Sequence, residues 1–151
     1  MELVLQDVAY HHAAAAELIE EVQQEYVVRY GGRDETPVDD DEFAPPGGAF
    51  VVVLVDGAPI GCGGLRRHDA DVVEIKRMYI RPTHRRHGHG GRLLDALEQR
   101  ARTLGYRRAV LETGTAQPEA LALYVGAGYT RIAPYGLHRC SPDSRCFAKD
   151  L

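Results

Sequence analysis

The hydrophobic period changes in the middle of residues 72 to 105, and no other feature restricts the fold as much. Over "VVEIKRMYI" apolar side chains alternate with polar ones, as in a half-buried strand. Strict alternation puts Glu74, Lys76, Met78 and Ile80 on one face and Val73, Ile75, Arg77 and Tyr79 on the other. Pro82 lacks the N–H a ladder needs and ends the strand. From Gly91 the apolar residues Leu93, Leu97, Ala101 and Leu104 return at helical spacing, as far as Gly105. A strand that leads through a short loop into an amphipathic helix requires a sheet on which that helix can lie.

The rest of the chain supplies the other strands. An extended piece near Leu3 to Leu5 precedes a helix with the stripe Ala15, Ile19, Val22 and Tyr26, stopped at Gly31 and Gly32. "AFVVVLVDGAPIGCGGLRR" holds two apolar runs around Asp56-Gly57, a strong hairpin signal. "RRAVLET" reads as a short strand and "PEALALYVGAGY" as a helix, with Pro118 near its start and Gly126 or Gly128 near its end. Two further strands are expected around Ile132 and Phe147. Between the first helix and the hairpin, Pro37, Pro45 and Pro46 mark an acidic loop with one helical turn near Asp40 to Phe43. The expected architecture is a single α/β domain over residues 1–151, a mixed sheet covered by helices.

Composition excludes several classes. Cys62, Cys140 and Cys146 are too few and too odd in number for a disulfide framework. No run approaches the roughly 20 apolar residues of a membrane span. "MELVLQDVAYHH" lacks the basic flank and apolar core of a secretion signal, so a cytoplasmic protein without a membrane partner is expected. The net charge is -4, but its distribution is uneven. Six acidic side chains fall within residues 34 to 42, while Arg81, Arg85, Arg86 and Arg92 stand in a stretch with no acid. A basic patch on an acidic protein attracts a small polyanion more readily than it retains nucleic acid. Neither aromatic interleaving nor a broad basic face points to RNA or DNA.

That basic stretch, "RPTHRRHGHGG", is the loop between strand and helix. Amides at a helix N-terminus have no intrahelical partner, and glycines let a ligand approach them closely, so the place suits a phosphate. A surface turn with solvated arginines is the plain alternative. A nucleoside-triphosphate loop requires Lys and then Ser or Thr after its last glycine, where Arg92 and Leu93 stand. A dinucleotide fingerprint starting at Gly88 finds Gly90 but meets Leu93 where its third glycine belongs, although Glu112 lies at the distance of a ribose-binding acid.

A third pattern fits better. Residues 74 to 94, "EIKRMYIRPTHRRHGHGGRLL", resemble the central motif of the GCN5-related N-acetyltransferase (GNAT) superfamily. Its coenzyme A loop has the form Gln or Arg, two variable residues, Gly, one variable residue, then Gly or Ala; Arg85, Gly88 and Gly90 occupy those places. "MYIRP" is similar to the family's strand along the pantetheine arm, and "EALALYVGAGYTRI" to its later helix and strand. The resemblance covers about residues 49 to 132, and the preceding residues by arrangement only. It implies an acyl-CoA N-acyltransferase-like α/β fold: a mixed, mostly antiparallel central sheet flanked by helices, with two central strands splayed around a thioester. It also implies acetyl-CoA as acyl donor, no metal, and a family in which homodimers occur. By carry-over, amides of Arg86, His87, Gly88, His89, Gly90 and Gly91 hold the pyrophosphate. Met78, Tyr79 and Ile80 run along the arm, and Arg85 and Arg92 add charge near the phosphates.

Acetyl transfer to an amine needs a neutral nucleophile, a proton acceptor, support for the developing oxyanion and a donor to the departing thiolate. The resemblance places Glu74 at the base position of some histone-modifying members and Tyr124 at the general acid. The competing uses are an ion pair of Glu74 with Lys76 or a nearby arginine, and core packing for Tyr124. With both substrates in one cleft, direct attack needs no covalent enzyme intermediate.

His84, His87 and His89, like His138, Cys140 and Cys146, lack the paired spacings of a zinc site. His87 and His89 read as loop surface or phosphate neighbours, and Cys62 as a small buried residue. Asp39, Asp40, Asp41 and Glu42 are expected either to border the entrance for an amine-bearing small molecule or peptide, or to be simply solvated. The segment Pro134 to Arg145 is expected to close the same cleft or to meet a second subunit. The competing function is a non-catalytic acyl-CoA-binding or regulatory module.

Overall fold

The structure is a computed structural model and describes residues 2 to 151. Strand β1 (Leu3–Asp7) leads into helix α1 (Ala13–Tyr30), which Gly31 ends in the left-handed conformation, its amide donating to the Val27 carbonyl. Strands β2 (Ala49–Val55) and β3 (Ala58–Asp69) form the expected hairpin. Asp56 and Gly57 at its tip have φ of 49° and 83°, as a tight two-residue turn of this hand requires. Then follow β4 (Val72–Ile80), α2 (His89–Thr103), β5 (Arg108–Gly114), α3 (Pro118–Gly126), β6 (Thr130–Ile132) and β7 (Ser144–Asp150). Helix α2 begins two residues before the point its stripe suggests, because Gly88 at φ 79° caps it.

The strands make one sheet in the order β1-β2-β3-β4-β5-β7-β6, antiparallel at every pairing except β4 with β5. Both faces are covered, which is why "AFVVVLV" is apolar throughout rather than alternating. On one face Val51, Val53, Leu65, Val73 and Ile75 pack against Leu93, Leu94 and Leu97 of α2. On the other, Phe50, Val52 and Cys62 meet Ala15, Leu18 and Val22 of α1, with Phe43 from the helical turn Asp40–Phe43. No helix among the described residues is long and apolar enough to cross a membrane.

Strict alternation fails in β4. Lys76 pairs with Gly64 and Tyr79 with Cys62, so Arg77 and Met78 together stand opposite Gly63. Arg77 takes a φ of 61° in this bulge, a left-handed conformation that costs a side-chain-bearing residue on the order of 1 kcal/mol. Its guanidinium holds Asp34 at 2.6 Å and its carbonyl accepts the Cys62 thiol at 3.4 Å, which keep it there. The inserted residue exchanges the faces beyond it. Met78 and Ile80 join Val73 and Ile75 on the α2 side, and Tyr79 joins Cys62 on the α1 side. The single face expected for Glu74, Lys76, Met78 and Ile80 therefore does not exist.

Strands β4 and β5 pair over four rungs only, from Val72 opposite Arg108 to Ile75 opposite Leu111. Beyond them β4 continues with β3 to Ile80, and β5 with β7 to Gly114. The sheet opens between the two.

Candidate active site

The opening is a cavity of about 370 Å³. Its strand walls are residues Glu74 to Met78 of β4 and Glu112 to Gly114 of β5. Tyr26 and Tyr30 of α1, Ala120 and Tyr124 of α3, and His138 and Ser141 of the β6–β7 connection complete it. A smaller cavity of about 130 Å³ adjoins it and shares Glu74, Lys76 and Glu112.

The end of α1 is fastened across this opening. The Tyr30 hydroxyl donates to Gln117 Oε1 at 3.0 Å, and Arg29 donates to the Ala116 carbonyl at 2.6 Å and pairs with Glu119 at 2.8 Å. Gly114 permits this, since any Cβ there would collide with the Tyr30 hydroxyl.

Tyr124 is buried on α3, and its hydroxyl points across the splay to within 3.7 Å of Met78 Sδ. Burial pushes its pKa up to about 12, so the phenol keeps its proton at neutral pH and is available as a donor. Glu74 lies on the opposite wall. Arg66 Nε donates to its Oε1 at 2.8 Å, and the Tyr135 hydroxyl donates to its Oε2 at 3.1 Å. The arginine partner that the sequence leaves open is therefore Arg66, while Lys76 turns to Asp34. Burial and the neighbouring Glu74 carboxylate both hold the Tyr135 proton in place.

Asp34 is the site residue that sequence reading missed. Lys76 (2.9 Å), Arg77 (2.6 Å) and His138 (3.0 Å) converge on its carboxylate, along with the Thr36 amide and hydroxyl. Burial opposes its ionisation, but Lys76, Thr36 and Arg77 outweigh burial and hold the carboxyl far below the usual carboxylate range. Within the acidic segment only a long-range partner distinguishes it from its neighbours. The expectation that Asp39 to Glu42 border the entrance is not met. Asp39 and Glu42 form a capping box on their own turn, Glu42 reaches Arg66 at 3.3 Å, and none of the four lines either cavity. The Pro134 to Arg145 segment does flank the opening, through Tyr135, His138, Ser141, Asp143 and Ser144.

Beyond Ile80 the chain turns at Pro82–His84 and enters the glycine loop. Among the described residues, the amides of Arg86 to Gly91 meet no backbone acceptor; Arg92 is the first to bond, to the Gly88 carbonyl at 3.2 Å. Left-handed Arg86 (φ 68°) and Gly88 (φ 79°) turn this row of donors at the positive end of α2. Arg86, His87, Gly88, Gly91 and Arg92 are exposed. The Arg85 side chain instead turns inward. It donates to the Ile80 carbonyl at 2.8 Å and to Glu25 at 2.6 Å, and lies 5.7 Å from the centre of the Tyr79 ring. Tyr79 also donates to Glu21, at 3.2 Å.

His89 is not loop surface. It is 2% exposed, and neither ring nitrogen has a partner. Burial, followed by the charges of His87, His84 and Arg92, lowers its proton affinity. The unfolded chain thus binds a proton more readily than the folded one, so its contribution is fully present above the unfolded pKa of about 6.5 and declines as pH falls below it. We predict that His89→Leu melts higher than the parent and that the gap widens from pH 7.5 to 5.5, by at most about 1.4 kcal/mol per pH unit. Thermal melts across that range with a constant or shrinking gap would contradict this.

Cys62 is fully buried, and burial raises its pKa to about 12, which leaves it a packing thiol. Among the described residues no three His, Cys, Asp or Glu side chains gather as a metal ion would need.

These features agree with comparisons to known proteins. The model of the acetyltransferase (GNAT) family matches residues 15–129. An IAA acetyltransferase of Azospirillum brasilense is 32% identical over 139 residues, covering 91% of each chain. The solved structure of a candidate acyl-CoA N-acyltransferase from Klebsiella pneumoniae superposes with a TM-score of 0.81 at 29% identity, covering 99% of this chain and 97% of that one. An Elizabethkingia anophelis GNAT acetyltransferase with acetyl-CoA bound shares the fold, at a TM-score of 0.71 and 17% identity over 99% and 98% of the chains. With most of its length matched by the family model and nearly all of it by a relative, the chain belongs to the GNAT family of acetyltransferases, enzymes that move an acetyl group from acetyl-CoA to an amine.

Proposed function

We propose that the cleft between β4 and β5 holds acetyl-CoA and an amine together and transfers the acetyl group directly. The loss of pairing after Ile75 and Leu111 carries this reading, because it opens the sheet between the Tyr124 hydroxyl and the Glu74 carboxylate. The free amides of Arg86 to Gly91 receive the diphosphate, with the charge of Arg92 nearby. The pantetheine arm follows the edge of β4 from Ile80 through Tyr79 to Met78, which no strand occupies. At the far end of that edge the Ile80 carbonyl is taken by Arg85 Nε, at 2.8 Å.

The amine attacks the thioester carbonyl, the C–N bond forms and the C–S bond breaks. Glu74 takes the proton released from nitrogen, and Tyr124 gives its proton to the departing sulfur. The buried Tyr124 can supply that proton because its phenol remains neutral. A module that only bound acyl-CoA would need the loop but neither of these groups. Release of free thiol from acetyl-CoA that depends on an added amine separates the two accounts. Saturable acetyl-CoA binding without such release, across amino acids, polyamines, aminoglycosides and peptides, would favour the module.

A further inference from the structure

Lys76 and Glu112 are the first residues of β4 and β5 beyond the last shared rung, Ile75 opposite Leu111. Adjacent strands direct such residues to the same face, and both residues line both cavities. They are nevertheless not joined: among the described residues no contact within 4.0 Å links the ammonium to the carboxylate.

Each also carries charge that its neighbours leave unmatched. Asp34 is served by two full cations, Lys76 and Arg77, so that group has one positive charge to spare. The Lys76 ammonium uses one of its three donors on Asp34. Arg66 is shared by Glu74 and Glu42, so that group has one negative charge to spare. Glu112 has no cation within ion-pair distance among the described residues. The Ser144 hydroxyl donates to its Oε2 at 2.7 Å, and the Cys146 thiol lies 4.0 Å from the same oxygen. No hydrogen bond among the described residues reaches Oε1. One wall of the opening thus offers a cation with free N–H donors, and the other a carboxylate with no cation beside it and a free acceptor.

We infer that the acceptor is a free α-amino acid, its ammonium received by Glu112 Oε1 and its carboxylate by Lys76. A molecule with both charges on one carbon spans neighbouring residues of two strands and matches both at once; a plain amine leaves Lys76 unanswered. The ammonium loses one proton to solvent to become the neutral amine. The amine then lies beside Glu74, two residues before Lys76 on the same strand, and Glu74 takes the second proton from nitrogen as the C–N bond forms. This assignment rests on the acetyl-transfer reading and names its substrate class.

The test compares acetyl-CoA-dependent thiol release with one amino acid, its carboxamide and its decarboxylated amine. The amino acid should have a KM at least about tenfold below the other two, the worth of one hydrogen bond between charged groups. Lys76→Met should raise KM for the amino acid about tenfold and leave that for the decarboxylated amine, which offers Lys76 no acceptor, unchanged, whereas Lys76→Arg should keep the preference. Glu112→Gln retains the Ser144 contact and should raise KM for all three acceptors with kcat little altered. Equal use of the three acceptors by the unmodified enzyme, a comparison that needs no variant to fold, would overturn the inference. Activity confined to amines without a carboxylate would overturn it too, while leaving acetyl transfer intact. Absence of thiol release with every acceptor would remove the acetyl-transfer reading itself.

Discussion

Tyr124→Phe is expected to lower kcat by about a hundredfold while leaving acetyl-CoA affinity and thermal stability close to those of the parent. The ring is buried against Tyr129, their centres 5.9 Å apart, and the hydroxyl has only the weak contact with Met78 Sδ at 3.7 Å. Removing the oxygen therefore takes little from the packing. What is lost is the one proton donor that α3 directs across the splay. Because the phenol holds its proton up to about 12, the deficit should be a constant factor between about pH 6 and pH 9. Single-turnover rates would show it most clearly, since slow product release can mask a chemical defect in kcat. Parental single-turnover rates in the Phe variant would remove Tyr124 from the mechanism.

Glu74→Gln is expected to be at least as damaging, with about a hundredfold loss or more in kcat. Glutamine keeps an acceptor for Arg66 or Tyr135 but loses both the charge and the ability to take a proton. Arg66 remains anchored by Glu42 at 3.3 Å and by the Pro37 carbonyl at 2.8 Å, so the fold has alternatives to the missing ion pair. Binding of acetyl-CoA should stay near the parental level, because the diphosphate loop and the arm site lie elsewhere. A variant that turned over at the parental rate would show that Glu74 serves only to hold Arg66 and Tyr135.

Much of this was legible in the chain. The strand, loop and helix around Gly88 and Gly90 were readable because their signals are local: a change of period, a proline and a row of glycines. The hairpin at Asp56-Gly57 and the short turn at Asp40–Phe43 belong to the same class. The bulge was not legible. A left-handed position usually advertises itself with glycine, whereas here Arg77 holds it through contacts with Asp34 and Cys62, distant in sequence. Its consequence is large, since it separates Met78 from the face of Glu74 and so lets one strand serve both walls of the cleft.

The acidic segment failed for a related reason. Composition marks all of residues 34 to 42 alike, and only the fold shows that Asp34 faces Lys76, Arg77 and His138 while Glu42 faces Arg66. His89 misled because histidine beside exposed Arg86 and His87 reads as surface, yet the first turn of α2 points it into the protein. Glu112 entered only as a ribose-binding candidate. Its place opposite Lys76 depends on the parallel register of β4 and β5, which no local pattern encodes.

Assigned amide spectra recorded during a titration with acetyl-CoA bear most directly on the cleft as a coenzyme site. Saturation at one equivalent should shift the amides of Arg86 to Gly91 most strongly, together with those of Met78 to Ile80, and leave the β1 edge of the sheet unmoved. Saturable binding that left the loop amides at their free positions, or no binding at concentrations that saturate other acetyltransferases, would contradict the account.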